Sequence, residues 1–558
     1  MKFKDSMREM KISPRAYFIL LLFCVIAFGI VTPAVINFVL MPYLSGPIVY
    51  TIYTIPMFIV FVVAIYPLIL SSQRKLRSDR LFPMFITELA ALSTSEMSFD
   101  KIFYILSDKK TYGPLAEDAK KLYRLIKHYN VAAGEACRFV AARTPSVVES
   151  DFFSRMAHAL EIGDTISRFM KNEHDVIMSE YVLSSESALK DLDFMKEMYT
   201  GIVTSLIFVC VFVSIIPLLG TGDITMILYG IVLAFLVMEI VFVYYITTKV
   251  PRNPIWYGWK QKNHGGFFTD KDRILMVSVF ISLMGVAMLF FLLLPFELPM
   301  LLLVSSSCLP LLIPGILISK EEKRIEKRDN IYGAFIRSLG RSSSAAGITM
   351  VESVKKLALH KFGPLTDMVR NLSKRLQMHI DPKTSWRHFA SESSSHLIER
   401  FGDMYTDCVM NGAKPDETSL FISNNMFKIL SIRKKRALVA SSFFGVLYGV
   451  MVSLSFTIWI TIGITKYMAE VVGTIEIEDT DMGGSFLNTL LNANFDVQPL
   501  EYMAFSVMVI HAFFSAIMLP LLKGGHMATA AIHLISLLWI ASASQFIVDI
   551  LLESLLGI

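Results

Sequence analysis

The chain has 558 residues, of which 54% are hydrophobic and only 18% charged, and its mean hydropathy is +0.54. That composition excludes an ordinary soluble protein, and the modest formal charge of +5 excludes a strongly polyanionic or polycationic surface overall. Five scattered cysteines (Cys24, Cys137, Cys210, Cys308 and Cys408) lack any paired spacing, which argues against a disulfide framework or a zinc site.

Residues 1–15 carry Lys2, Lys4, Arg8, Lys11 and Arg15 against Asp5 and Glu9. The apolar stretch Tyr17 to Leu40 is longer than a signal-peptide core and lacks a small-residue cleavage site, so a retained first span is expected. A second span, Val49 to Leu70, is followed by Arg74, Lys75, Arg77 and Arg80. Basic residues at both ends of this hairpin place the amino terminus and the following segment in the cytoplasm.

Residues 71–199 read as a first soluble helical domain. Leu81, Phe82, Phe85, Ile86 and Leu89 form a stripe at three- and four-residue intervals, and Leu122, Leu125 and Ile126 form another. A break is expected at Gly113-Pro114, and Pro145 is expected to open the helix that contains Phe152, Met156 and Leu160. Spans three and four, about Ile202 to Leu219 and Ile224 to Ile246, return the chain to a basic inside connector, 247–273, with Trp256, Tyr257 and Trp259 suited to the membrane interface. Spans five and six run from about Ile274 to Leu293 and Met300 to Ile318, with Pro310 and Pro314 expected to kink the sixth.

A second soluble domain occupies 319–436, and it repeats the first. Phe85, Ile86 and Leu89 return as Phe335, Ile336 and Leu339, and Tyr112-Gly113-Pro114-Leu115 returns as Phe362-Gly363-Pro364-Leu365. A one-residue adjustment then aligns Phe152 with Phe401 and Gly163 with Gly412, the pattern of an internal duplication. Span seven, 437–464, leads to an acidic outside segment, 465–500. Spans eight and nine, about Tyr502 to Leu522 and Thr529 to Ile550, leave the carboxyl terminus outside. The expected fold is an all-α polytopic membrane protein of about nine transmembrane helices with two homologous cytoplasmic helical bundles.

Charge divides the two copies. Residues 71–199 hold 18 Lys and Arg against 19 Asp and Glu, whereas residues 319–436 hold 22 against 13, a net charge near +9. The excess includes Lys355, Lys356, Arg370, Lys374, Arg375 and Arg387, which suit either a protein-docking face or a solvated helix surface. The membrane-proximal run Arg433-Lys434-Lys435-Arg436 suits anionic lipid head groups and the inside-positive rule, with contact to a moving partner as the alternative. No nucleic-acid reader motif accompanies these charges.

Residues for chemistry are sparse. There is no phosphate-binding loop, no H-E-x-x-H pattern and no metal-ligand cluster, so neither an enzyme nor a cofactor is expected. His526 and His533 lie seven apart and could share a helix face, where packing is the plainer role. Within span four, Glu239 is an ionisable group in apolar surroundings; it must snorkel or pair, and it is a candidate for intramembrane coupling.

Phe335-x-x-x-Leu339, then Gly347-Ile348-x-Met350-x-x-Ser353-Val354, then Gly363-Pro364-Leu365, resemble the type II secretion system F domain. The full layout is similar to the archaellum-assembly (FlaJ) family, within the type II secretion system F domain and TadC-like platform proteins, and less like the shorter bacterial pilus and secretion platform proteins. That resemblance implies a non-enzymatic platform in the cell membrane. Its partners would be a separate hexameric secretion ATPase and pilin-like archaellin subunits, and a homodimer is compatible with it. Gly113, Pro114, Gly347, Gly363 and Pro364 would be the turn elements of the repeat, although Met97-Ser98 stands where Gly347-Ile348 does, so the first copy departs from that glycine turn. Against the platform stand two other classes, a secondary transporter or channel built from a membrane repeat, and a receptor reading the acidic outer segment.

Overall fold

A computed structural model describes residues 74–75, 77–216, 225–250, 254–257, 270–296, 298–474 and 498–556. Spans one and two and most of the acidic outer segment lie outside these residues. The described residues are helical apart from turns and a single antiparallel bridge, Trp256 with Ser395. Seven of their helices are long and apolar enough to cross a membrane, which establishes an all-α polytopic membrane protein.

The chain divides into two compact units, one of residues 1–178 with 408–421 and one of 179–407 with 422–558. In the first unit, α1 (77–92), α2 (Phe99–Asp108), α3 (Pro114–Tyr129), α4 (Ala133–Ala141) and α5 (Val147–Glu161) form a bundle. The expected stripe is its core: Phe82, Phe85, Ile86 and Leu89 are buried with Leu122, Phe152, Phe153 and Met156. Pro145 does not open α5. Ser146 is the cap, its hydroxyl accepting from the Glu149 amide at 3.2 Å, so the proline stands one residue before the cap. An unpaired amide in the first turn is better served by the serine oxygen than by a ring that only presets φ.

From the first bundle, α6 (Ile166–Ile215) runs 50 residues into span three without a break. The next helices are α7 (Thr225–Lys249), α8 (Asp270–Leu293), α9 (Met300–Ser307) and α10 (Leu312–Ala346). Span six is interrupted as Pro310 and Pro314 suggest: a short 3-10 turn, Leu309–Leu311, separates α9 from α10. The second bundle continues through α11 (Met350–Leu357), α12 (Thr366–Gln377), α13 (Pro382–Ser393) and α14 (His396–Met410). Then α15 (Pro415–Thr474) extends for 60 residues and carries span seven, before α16 (Gln498–Lys523) and α17 (Ala530–Leu556) supply spans eight and nine. The expected domain edges at 199/200, 318/319 and 436/437 therefore fall inside continuous helices.

The membrane core of the second unit is a set of helical stripes. Tyr199, Val203, Cys210 and Val213 of α6 face Phe235, Phe242 and Ile246 of α7, Leu447, Leu454 and Ile458 of α15, and Val507, Met508 and Ala512 of α16 in one buried cluster. Small and hydroxyl residues serve the closer approaches, with Ser542 donating to Ser305 at 3.0 Å and Thr465 to the Ser214 carbonyl at 3.2 Å.

The two bundles turn alike. Gly113 and Gly363 have φ of 54° and 52°, Asn130 and His379 have 50° and 57°, and Gly163 and Gly412 have 87° and 86°. The offset is 250 residues for the first pair and 249 for the others, so the single-residue adjustment falls between the α3 start and its end. Gly347 ends α10 in the left-handed conformation, whereas no residue of 93–98 in the first copy has positive φ. The departure at Met97-Ser98 is thus a real difference in turn geometry, since a left-handed helix end without glycine would be strained.

Candidate functional site

The basic residues of the second bundle lie on three consecutive helices. Thr349 caps α11 by accepting from the Glu352 amide at 3.3 Å, and Asp381 with Pro382 opens α13 by accepting from the Thr384 amide at 2.9 Å. With these starts fixed, Val354 and Leu357 of α11, Val369, Leu372 and Leu376 of α12, and Trp386 and Phe389 of α13 turn inward. Lys355, Lys356, Arg370, Lys374 and Arg387 are thereby left exposed. Arg370 pairs with Asp367 on its own helix at 3.5 Å. Arg375 differs from the rest: it is half-buried and bonded to Glu392, which makes it part of the bundle's packing.

The run Arg433–Arg436 also divides. Arg433 donates to Asp329 at 2.8 Å and to the Pro254 carbonyl at 2.8 Å, while Lys435 pairs with Glu186. Arg436 is buried and donates to the carbonyls of Leu521 and Leu522 at the end of α16. Lys434 is exposed. The two arginines bond to segments distant in the chain. A guanidinium can satisfy several acceptors in one plane, which a run of charge in a sequence does not reveal.

Burial pushes the Asp329 carboxyl above the ordinary range, opposed by the Arg433 guanidinium and the Ser395 hydroxyl. Burial likewise pushes Glu399 up to about 7 and holds His396 down at about 3.

Glu239 is fully buried and does not snorkel. Its Oε1 accepts from the Tyr199 hydroxyl at 2.9 Å and lies 2.9 Å from His511 Nδ1, joining α6, α7 and α16. His511 stands in the sequence as a histidine that dilutes apolar span eight, but nothing there pairs it or Tyr199 with Glu239. What could have found them is that each is a polar group at a core-facing position of an apolar helix, and such groups seek one another in lipid. His526 and His533 are not on one face: His526 precedes α17 and caps the short turn Met527–Thr529, while His533 bonds the Tyr448 hydroxyl at 3.1 Å. Among the described residues no three His, Cys, Asp or Glu side chains gather as a metal site.

The repeat turns place Gly113-Pro114 and Gly363-Pro364 at matching helix starts. The type II secretion system protein F family matches residues 85–214, the first repeat with span three, whereas the motif residues quoted above stand in the second. The chain is 31% identical over 571 aligned residues to flagella accessory protein J of Methanocaldococcus jannaschii, covering 99% of this chain and 98% of that one. It is 30% identical over 499 residues to the protein of the same name in Methanococcus voltae, with 88% of each covered. No solved structure matches. Similarity at this level over essentially the whole length shows that the chain belongs to the flagella accessory protein J (FlaJ) family.

Proposed function

We propose that this protein is a non-enzymatic membrane platform for assembly of an archaeal flagellum or a related type IV pilus-like filament. The full-length similarity to two flagella accessory proteins carries this reading. On it, a separate hexameric ATPase docks on the cytoplasmic bundles and drives insertion, or rotation, of pilin-like subunits. The net charge near +9 of residues 319–436, with exposed lysines and arginines on α11, α12 and α13, supports the division of labour. α6 and α15 run from the soluble bundles into spans three and seven without a break and would transmit the movement.

Lys355, Lys356, Arg370, Lys374 and Arg387 are the proposed docking residues, with Arg375 a positioning residue through Glu392. Lys434 and Lys435 would meet anionic lipid, and Glu239 would couple the spans. The test is reversal of Lys355, Lys356 and Lys374 to Glu in the full chain. Co-purification of the ATPase should fall steeply and the loss should lessen as salt is raised, with the amount of protein in the membrane unchanged. The buried Glu239 pair would also suit a secondary transporter. Solute flux into vesicles holding this protein alone would favour that reading over the platform.

A further inference from the structure

The second bundle is tied to the membrane hairpin of α16 and α17 by a short piece of the connector. Residues 254–257 run antiparallel to the loop before α14, with the Tyr257 amide donating to the Ser394 carbonyl at 3.0 Å and the His396 amide to the Ile255 carbonyl at 3.1 Å. Arg433 secures the same segment by its bond to the Pro254 carbonyl, and is itself held by Asp329, whose other oxygen accepts from Ser395. That is one end.

At the other end, the Trp256 indole N–H donates to Glu322 Oε1 at 3.0 Å, and the His526 amide donates to the same oxygen at 2.6 Å. The Trp256 and His526 rings meet edge to face, 5.9 Å apart. Space here is made by glycines. A Cβ on Gly525 would meet the Glu322 carboxylate at 2.9 Å, and Gly524, at φ +80°, lies against Arg436. Glu322 is nearly inaccessible to water, so these donors stand in place of solvent at its carboxylate.

We propose that residues 254–257 form a coupling strap, which joins the α13–α14 loop of the second bundle to the α16–α17 turn through Trp256 and Glu322. Displacement of the bundle is then conveyed to the hairpin by the strap as well as by the continuous helices. The first bundle has the matching Asp79–Ser146 bond, but Ser184 stands 249 residues before Arg433 and Ser72 stands 250 before Glu322. The strap therefore belongs to the second copy. The inference does not depend on the platform reading, because it concerns how two parts of this chain move together.

Hydrogen exchange on the full-length protein in detergent tests it, read in peptides containing the His526 amide and the His396 amide. Glu322→Ala should quicken exchange about tenfold at His526 and also at His396, where no contact has been deleted. Trp256→Phe should do the same from the strap itself, and Glu322→Gln, which keeps an acceptor, should stay near the wild type. Exchange in α12 serves as the reference for intact folding. Quickening at His526 alone in Glu322→Ala, or an undisturbed His526 amide in Trp256→Phe, would overturn the strap. If Glu322→Ala loses protection throughout, the Trp256→Phe result decides by the same criterion.

Discussion

Where the first bundle has Cys137 and Phe153, the second has Trp386 and Gly402 at the matching offset of 249 residues, and both pairs are in the interior. A Cβ on Gly402 would come within 3.2 Å of the Trp386 ring and 3.3 Å of the Tyr332 hydroxyl, so the glycine makes room for the indole. A small and a large residue have changed places between neighbouring helices while the turns on either side kept their conformations. Asp79 with Ser146 likewise recurs as Asp329 with Ser395, but the second pair has acquired Arg433. The comparison teaches that the copies share a backbone specification and differ in what the interior holds. The second copy holds Trp386 in its interior and pairs its aspartate with Arg433, and Lys355, Lys356, Arg370, Lys374 and Arg387 lie outside.

The sharpest contrast is at the aspartates. Asp329→Ala removes the carboxylate partner of the largely buried Arg433 guanidinium and should cost about 3–5 kcal/mol, whereas Asp79→Ala removes a serine's acceptor and should cost about 1–3 kcal/mol. Thermal unfolding of the detergent-solubilised protein should rank them in that order, and equal losses would remove the distinction between the copies.

Next is the exchanged core pair. Trp386→Cys should cost about 3 kcal/mol or more through the cavity it leaves, and Gly402→Phe alone should be destabilising through overpacking, by about 1–3 kcal/mol. The double variant recreates the first bundle's arrangement and should be milder than the sum of the two. Strict additivity would mean that the positions are not coupled.

The copies should differ least in two respects. Gly113→Ala and Gly363→Ala each force a positive φ on a side chain and bring its Cβ against Arg77 or Ile331, and each should cost about 1–3 kcal/mol. Both bundles also hold a carboxyl raised to about 7 by burial, Glu149 in the first and Glu399 in the second. The folded state then binds more protons than the unfolded one between the ordinary carboxylate range and about pH 7. Stability is greatest at the lower pH and falls as pH rises through that window. Glu149→Gln and Glu399→Gln should each flatten the decline, measured as the thermal midpoint between pH 4.5 and pH 8.

The helices, the order of spans three to nine and the paired turns were legible because each rests on a local signal: an apolar run, a stripe, or glycine and proline at a fixed offset. The exposed placement of Lys355, Lys356 and Lys374 followed from the same periodicity. The ends of the soluble bundles were not legible, since α6, α10 and α15 carry their backbone bonds across the change from polar to apolar side chains and no break marks it. Nor were the partners of Glu239, Arg433 and Arg436, which come from segments 40 to more than 270 residues away. Charge in a sequence shows that a partner is needed; only the packing of distant helices says which.

The central claim is that the second bundle, and not the first, carries the electrostatic docking surface. The direct measurement is co-purification of the ATPase with two full-length variants matched in charge change, Lys355, Lys356 and Lys374 reversed to Glu in one, and the exposed Lys101, Lys120 and Arg124 of the first bundle reversed in the other. The account predicts loss of the ATPase from the first variant and retention by the second. Equal retention by both, or loss from the first-bundle variant alone, would contradict it.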